Sequence, residues 1–217
     1  MKYAVITGST KGIGKAIAEK ILSNGYYAIL NYAHDEKAAK ETQEQFNGKF
    51  PEHFAICKAD LSSLDGLYEY LEFIGQHTNT LDCLILNAGI TDRSPFNDIT
   101  PESWQRVMDT NLTVPLFLVQ KLSSLLLVDA NILFIGSLLG KLPHTMSLAY
   151  GVSKAALHFM AQCLVKDGNI IKNWKELYNL LDTGDFKNIS GNTIKKYCRY
   201  NDGNSCKKLF KKLTVVL

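Results

Sequence analysis

The chain has no run of apolar residues long enough to cross a lipid bilayer, so we expect no membrane-spanning helix. Its few cysteines show no pair spacing typical of a metal site; they are Cys57, Cys83, Cys163, Cys198 and Cys206. Their odd number and the lack of a secretory signal sequence favour reduced thiols and a cytoplasmic protein over a disulfide framework. Proline is absent after Pro143.

The composition is otherwise that of a globular protein with a substantial core. Of 217 residues, 46% are hydrophobic and 21% are charged, which fits one domain of ordinary size. The net charge of +3 is unevenly spread, because residues 166–217 hold 11 Lys and Arg against 5 Asp and Glu. We therefore expect a folded region over residues 1–166 and an atypical basic tail over residues 167–217.

Three residues in the later part of the folded region could carry acid–base chemistry: Ser137, Tyr150 and Lys154. Tyr150 and Lys154 are four residues apart, which places both side chains on one face of a helix. A lysine ammonium beside a phenol lowers the pKa of the phenol and makes it an effective proton donor near neutral pH. A tyrosine on a helix also commonly just packs, so the trio alone leaves a structural role open.

A glycine-rich turn follows the first apolar segment of the chain and precedes a helical pattern. A strand, such a turn and a helix N-terminus together make a phosphate-binding arrangement, since the backbone can approach closely and offers free N–H groups. A plain glycine-rich turn is the alternative, but its place after the first strand favours nucleotide binding. The candidate cofactor-binding residues of this turn are Gly8, Ser9, Lys11, Gly12, Ile13 and Gly14.

The end of the second predicted strand bears on the choice of nucleotide. In NAD-binding folds an acidic residue there binds the ribose 2′-hydroxyl. Here that region reads Asn31-Tyr-Ala-His34, with Asn31 as a candidate cofactor-binding residue and no acid before Asp35. Lys11, His34 and Lys37 are near. These groups would suit a 2′-phosphate, so the sequence favours NADP(H) over NAD(H). The lysines could instead be ordinary solvated surface residues.

Strand and helix patterns alternate along the folded region, which predicts a doubly wound parallel α/β sheet of the Rossmann type. Predicted strands cover residues 3–7, 26–32, 53–59, 81–86 and 131–135. A long helical region is predicted over residues 101–127, where Pro115 should kink the helix or remove one hydrogen bond. Because ligands bind at the carboxyl ends of such strands, we expect Gly8, Asp60, Asn87 and Ser137 to lie together there.

With these motifs in order, the chain resembles the short-chain dehydrogenase/reductase family over residues 1–166. The resemblance is carried by the glycine turn after Thr7, Asp60-Leu-Ser, Asn87-Ala-Gly, Asn111, and Ser137 followed by Tyr150-x-x-x-Lys154. It implies that Tyr150 is the general acid in carbonyl reduction and that Lys154 assists it and holds the nicotinamide ribose.

The resemblance implies further roles along the site. Ser137 would bond the substrate carbonyl, and Asn111 would hold a water that relays protons to Lys154. An asparagine in a helix also commonly bonds the backbone, so a structural role for Asn111 stays open. The remaining implied cofactor contacts are Asp60 and Leu61 at the adenine and Asn87, Ala88 and Gly89 at the ribose.

Within the family, the chain is most similar to the 3-oxoacyl-[acyl carrier protein] reductases, on the Thr-Lys-Gly-Ile-Gly turn, Asn31-Tyr32 and residues 88–93. This implies a 3-oxoacyl thioester substrate in fatty acid biosynthesis, contact of Arg93 with an acidic carrier protein, and a dimer or tetramer. No metal, nucleic acid or membrane partner is expected.

The tail departs from the family pattern, since residues 167–217 contain neither a Pro-Gly turn nor a Gly-Gly pair. Either it replaces the usual substrate lid and last strands, or it is a foreign ending. The alternative to an active reductase is therefore a catalytically impaired nucleotide-binding or interaction protein with an altered or truncated C-terminus.

Overall fold

The computed structural model describes residues 1–166, and the predicted basic tail, with its divergent or missing last strands, lies outside the described residues. The described residues form five strands: β1 (Lys2–Ile6), β2 (Tyr26–Tyr32), β3 (Phe54–Lys58), β4 (Leu81–Leu86) and β5 (Leu126–Phe134). The same residues form six α-helices: α1 (Gly12–Leu22), α2 (Glu36–Lys49), α3 (Leu64–His77), α4 (Pro101–Met108), α5 (Val114–Leu122) and α6 (Leu148–Lys166). Within residues 1–166, no helix is both long and apolar enough to cross a membrane.

All five strands are parallel and lie in the order β3-β2-β1-β4-β5. The chain moves from β1 outward through β2 to β3 and then returns to the other side of β1 at β4. This reversal opens a crevice at the carboxyl ends of β1 and β4, where ligands bind in such sheets. The predicted doubly wound parallel sheet is confirmed.

The sheet is buried on both faces because side chains of a strand alternate between them. In β1, Val5 points into the core shared with α3, α5 and α6, whereas Ala4 and Ile6 point into the core beneath α1 and α2. All three are fully buried. The continuous apolar sequence of the strand is therefore needed, because it fills a core on each side of the sheet.

Side-chain caps begin three of the helices and set where they start. Asp35 accepts the N–H of Ala38 at α2, and Ser63 accepts the N–H of Gly66 at α3. At α4, Thr100 and Ser103 form a capping box, with proline at the first helical position. These caps satisfy N–H groups that a helix start otherwise leaves free.

The disruption predicted at Pro115 within the helical region of residues 101–127 is present, whereas the predicted end of that region is wrong. The helix is interrupted by a π-helical turn, Asp109–Thr113, immediately before α5. Pro115 has no N–H to donate to the carbonyl of Asn111, so the regular α-helical pattern cannot pass through this point. The helical region also ends at Leu125, because the apolar residues that follow belong to β5.

Candidate active site

The glycine-rich turn leads from β1 directly onto the N-terminus of α1. Gly8 has φ +60°, a conformation that favours glycine. Lys11 precedes the helix without a side-chain cap, and no acidic residue lies in its first turn. The first N–H groups of α1 are therefore left for an external acceptor, and the helix dipole favours an anion there.

Gly14 lies where the turn folds back on itself. A Cβ at this position would lie 2.2 Å from the Gly8 carbonyl oxygen and 2.5 Å from Nδ2 of Asn87. Either distance is a severe clash, so only glycine fits. The turn, α1 and the end of β4 are thus packed closely enough to form one rigid cradle.

Thr7 and Asn87 join the ends of β1 and β4. The Thr7 hydroxyl accepts the backbone N–H groups of Asn87 and Ala88, both at 2.9 Å. The Asn87 amide donates to the carbonyls of Thr7 at 3.0 Å and Gly8 at 2.8 Å. Asn87 therefore shapes the cradle through its side chain, and Thr7, which was not among the candidate site residues, is its partner.

Ser9 and Asn31 hold the turn from the β2 side. Ser9 is fully buried, and its hydroxyl donates to the Ile6 carbonyl at 3.0 Å and accepts the Asn31 N–H at 2.9 Å. The Asn31 side chain accepts the Gly8 N–H at 3.2 Å and donates to the Ala59 carbonyl at 3.0 Å. Both bond the protein itself, which places them under the turn as supports.

A groove of about 710 Å³ runs over this cradle across the carboxyl ends of β1 to β4. Ten candidate cofactor residues line it: Gly8, Lys11, Ile13, Gly14, Asn31, Asp60, Leu61, Asn87, Ala88 and Gly89. Arg106 and Thr110, from the far wall, also line it and were missed, because no sequence pattern points α4 at the groove. The volume suits a ligand of dinucleotide size.

One ion pair and one histidine–carboxylate contact lie at the β2 end of the groove. Lys11 Nζ lies 3.0 Å from Asp35, and His34 Nε2 lies 3.2 Å from Asp60. Burial opposes ionisation of Asp60, but hydrogen bonds from Ser62 and the nearby His34 and Arg106 outweigh it and lower the pKa of the carboxyl. The backbone N–H of Ala38 and the Lys11 ammonium lower the pKa of Asp35. Both carboxylates are thus ionised at neutral pH, and Asp35 is already bonded to the start of α2 and to Lys11.

Tyr150 and Lys154 share the inner face of α6, as their spacing predicts. Lys154 is only 3% exposed, and its Nζ donates to the Ile135 carbonyl at 2.8 Å. Burial lowers the pKa of this ammonium to about 8. The same Nζ lies 5.7 Å from the centre of the Tyr150 ring.

Asn111 connects this pair to the groove. It is fully buried in the π-helical turn, and its side chain both accepts the Ile90 N–H and donates to the Ile90 carbonyl, each at 2.9 Å. A third bond goes to the Ser153 hydroxyl at 3.0 Å. A Cβ on Gly89 would lie 3.5 Å from Lys154 Nζ, so the groove and the buried ammonium are adjacent.

Ser137 follows β5 and starts a short 3₁₀ turn, Leu138–Gly140, that packs on α6. Its hydroxyl accepts the N–H of Leu139 at 3.2 Å, which leaves the hydroxyl proton free to be donated. Its backbone N–H donates to Nε2 of His158 at 3.4 Å. His158 was missed, although its spacing of four from Lys154 is the available signal.

The structure therefore brings together two adjacent groups of candidates at the carboxyl ends of the strands: the residues that line the groove and the Tyr150–Lys154 pair. Within the described part of the chain, no cluster of His, Cys, Asp and Glu is placed to hold a metal ion. Arg93 is exposed in the loop after β4.

Comparison with known proteins relates this arrangement to characterised families. The chain is 31% identical over 170 residues to glucose 1-dehydrogenase 2 of Bacillus subtilis, covering 75% of this chain and 64% of that protein. It is 29% identical over 158 residues to the 3-oxoacyl-[acyl-carrier-protein] reductase FabG of Staphylococcus epidermidis, covering 72% and 64%. The chain thus spans less than two thirds of the length of these relatives.

Among solved structures, the angucycline C-6 ketoreductase LanV with bound NADP superposes with a TM-score of 0.71 at 29% identity. The match covers 77% of this chain and 67% of LanV. The family model for short chain dehydrogenase matches residues 2–171, which includes the cradle, the groove and the Tyr150–Lys154 pair. The chain therefore belongs to the short-chain dehydrogenase family.

Proposed function

We propose that this protein reduces a ketone to a secondary alcohol with NADPH, using residues 1–166 as the dinucleotide-binding and catalytic region. The observation that carries the proposal is the placement of Lys154, a buried cation between the Tyr150 ring and the glycine-lined groove. A buried ammonium is costly, and such a group is typical of a catalytic site.

The residues present fit a dinucleotide. The uncapped N-terminus of α1 and the turn that excludes any side chain at Gly14 would hold the pyrophosphate, with exposed Ile13 beside it. Asp60 and Leu61 would contact the adenine, and Ala88 and Gly89 the adjoining ribose. When bound, the nicotinamide supplies a hydride to the substrate carbonyl carbon.

The proton for the new alcohol comes from Tyr150 in this mechanism. The Lys154 ammonium would stabilise the negative charge left on the phenol oxygen, and it would also hold the nicotinamide ribose when the cofactor is bound. The Ser137 hydroxyl, whose proton is free, donates to the carbonyl oxygen as charge develops there. Asn111 orders the wall around Lys154 by bonding Ile90 and Ser153. A water between its backbone carbonyl and Lys154 would relay protons.

NADP(H) is favoured over NAD(H) because Lys11 and His34 lie at the β2 end of the groove and Arg106 also lines it. LanV was crystallised with NADP. Asp35 and Asp60 oppose binding of a 2′-phosphate, since Asp35 already contacts Lys11 and Asp60 already contacts His34. Their competition makes the preference depend on a few charges, which a substitution can shift.

For the substrate we propose a 3-oxoacyl thioester carried by an acyl carrier protein. The loop between β5 and α6 exposes Leu138, Leu142 and Met146 next to the catalytic helix, which favours an apolar chain over a sugar. FabG is a relative with this activity in its name, and the exposed Arg93 could meet an acidic carrier. We also propose a homo-oligomer, because α5 and α6 expose Leu116 and Phe159.

The test is the loss of NADPH absorbance when the purified full chain is given acetoacetyl coenzyme A, with glucose and NADP as the competing pair. Turnover of the thioester supports the proposal. Turnover of glucose without turnover of the thioester would show that the proposed thioester substrate is wrong and that a sugar is the substrate. NADPH binding without any turnover would instead assign the chain to the nucleotide-binding proteins that lack catalysis.

A further inference from the structure

His158 lies directly behind the turn that carries Ser137. It is on α6, one helical turn after Lys154, and only 9% of its surface is exposed. Its Nε2 accepts the backbone N–H of Ser137 at 3.4 Å. The turn packs tightly on the ring, since a Cβ on Gly140 would lie 2.9 Å from Cε1 of His158.

We propose that His158 is a positioning residue: its neutral ring holds the Ser137 turn in the catalytic arrangement, and its protonation releases that turn. The inference rests on the proposed function for its catalytic consequence, whereas the contact itself is a property of the fold. Only a neutral imidazole can accept at Nε2, with its proton on Nδ1. In the protonated ring both nitrogens donate, so the Ser137 N–H would face a second N–H.

The surroundings of the ring favour its neutral form. The charged groups that face it are the ammonium groups of Lys141, from the turn, and of Lys154, on its own helix. Burial, followed by these two cations, lowers the pKa of His158. The contact is therefore intact at neutral pH and is lost as the pH falls through the lowered pKa of His158.

Few other bonds hold the turn. Ser137 accepts the N–H of Leu139 through its hydroxyl, and its carbonyl accepts the N–H of Gly140 at 3.0 Å. Both bonds are internal to the turn and do not attach it to α6. Gly140 still packs against the backbone of Lys154 and Ala155, so loss of the His158 contact would free the Ser137 end of the turn, and with it the hydroxyl that we propose bonds the substrate. The nucleotide groove lies on other elements and would be unaffected.

The first experiment needs no catalysis. The full chain, labelled with ¹³C in its histidine rings and ¹⁵N in its backbone, is titrated by NMR, with the His158→Gln variant as the comparison. Glutamine can accept a hydrogen bond through its carbonyl but does not titrate. We expect the Ser137 amide shift to follow the His158 ring with the same midpoint, and to become independent of pH in the variant. A Ser137 amide that ignores His158 protonation would overturn the inference.

The second experiment measures the catalytic consequence with saturating NADPH. In the wild type, kcat should fall tenfold per pH unit below the His158 midpoint. In His158→Gln this acid limb should be absent, and in His158→Leu kcat should be low at every pH with an unchanged Kd for NADPH. His53→Gln, at the amino end of β3 on the opposite edge of the sheet, should match the wild type. An acid limb that persists in His158→Gln would contradict the inference. Without turnover in any variant the proposed function fails, and the NMR titration alone decides on His158.

Discussion

The ammonium nitrogen of Lys154 lies 5.7 Å from the centre of the Tyr150 ring, in a position where it is almost wholly buried. Among residues 1–166 no carboxylate forms a salt bridge with it. The Ile135 carbonyl is its hydrogen-bond partner. The fold thus keeps a cation out of water without neutralising it, and this has consequences for activity, stability and pH dependence.

Replacing Tyr150 by Phe should remove the proton donor and keep the ring. We expect ketone reduction to fall by about 10²–10⁴-fold, the usual contribution of general acid catalysis. Fluorescence titration should show unchanged NADPH affinity. Tyr68→Phe, an exposed tyrosine on α3, is the matched control. Wild-type turnover in Tyr150→Phe would exclude the proposed mechanism.

Replacing Lys154 by Met should abolish reduction and stabilise the cofactor-free protein. Burial lowers the pKa of Lys154 from its ordinary 10.5 to about 8, so the folded state disfavours the charged form. At pH 7 burial of the ammonium destabilises the folded protein by about 3 kcal/mol, and methionine removes this cost. Methionine also loses the hydrogen bond to the Ile135 carbonyl, which offsets about 1–2 kcal/mol of the gain. We expect a gain of roughly 1–2 kcal/mol in the free energy of unfolding, measured by urea denaturation.

The pH dependence of that gain provides its control. The destabilisation by the buried ammonium is complete below about pH 8 and disappears as the pH rises to 10.5. The stability gained by Lys154→Met should therefore shrink as the pH rises from 8 to 10.5. Lys20→Met, on the exposed last turn of α1, should change stability by less than about 0.5 kcal/mol at any pH. A destabilised Lys154→Met at pH 7 would show that the ammonium is better compensated than its burial indicates.

The pH profile of the wild type should show an alkaline limb. The value of kcat/KM for NADPH reports the cofactor-free enzyme, in which Lys154 loses its proton above about pH 8. Since the proposed ribose contact and the stabilisation of Tyr150 both need the ammonium, kcat/KM should fall tenfold per pH unit above that point. A profile that stays flat to pH 10 would contradict it.

Replacing Gly14 by Ala should destroy the cradle. The new Cβ would meet the Gly8 carbonyl and the Asn87 amide, so we expect a loss of about 1–3 kcal/mol in stability and at least a hundredfold weaker NADPH binding. Gly75→Ala is the matched control, because nothing lies within 4 Å of a Cβ in that part of α3. It should stabilise the protein by about 0.5–1 kcal/mol. Equal behaviour of the two variants in thermal denaturation and NADPH titration would rule out the clash.

Two substitutions at the ion pair of Lys11 and Asp35 should move cofactor preference in opposite directions. Lys11→Ala removes a cation from the groove, and we expect the ratio of NADPH to NADH affinity to fall about tenfold, as for loss of a charge-assisted bond. Asp35→Asn keeps the cap of α2 and frees Lys11, so the ratio should rise. Lys20→Ala should leave it unchanged. A ratio that ignores both changes would place the 2′-phosphate elsewhere.

The sheet could be predicted from the sequence because each strand is a short apolar run followed by a turn or a polar site residue. The boundary between the last part of the helical region and β5 could not, since the apolar residues 125–128 fit a helix and a strand equally well by periodicity. The site itself was predicted as a set of residues, but not the division of labour within it. The side chains of Ser9, Asn31 and Asn87 form hydrogen bonds with the backbone. These bonds could not be predicted, because they depend on burial and on partners up to 80 residues away. His158 has only its helical spacing from Lys154 to indicate it.

The Thr7–Asn87 clasp also constrains the biosynthesis of the protein. Its bonds join residues 80 apart in the chain, so the glycine turn lacks its β4 contacts while only the first two strands have been made. Proteins are synthesised at about 5–20 residues per second, and a nascent chain therefore waits several seconds between emergence of the turn and emergence of β4. A nucleotide affinity resin should not retain ribosome-bound chains that stop before residue 87. Retention should appear only in chains long enough for β4 to have left the exit tunnel.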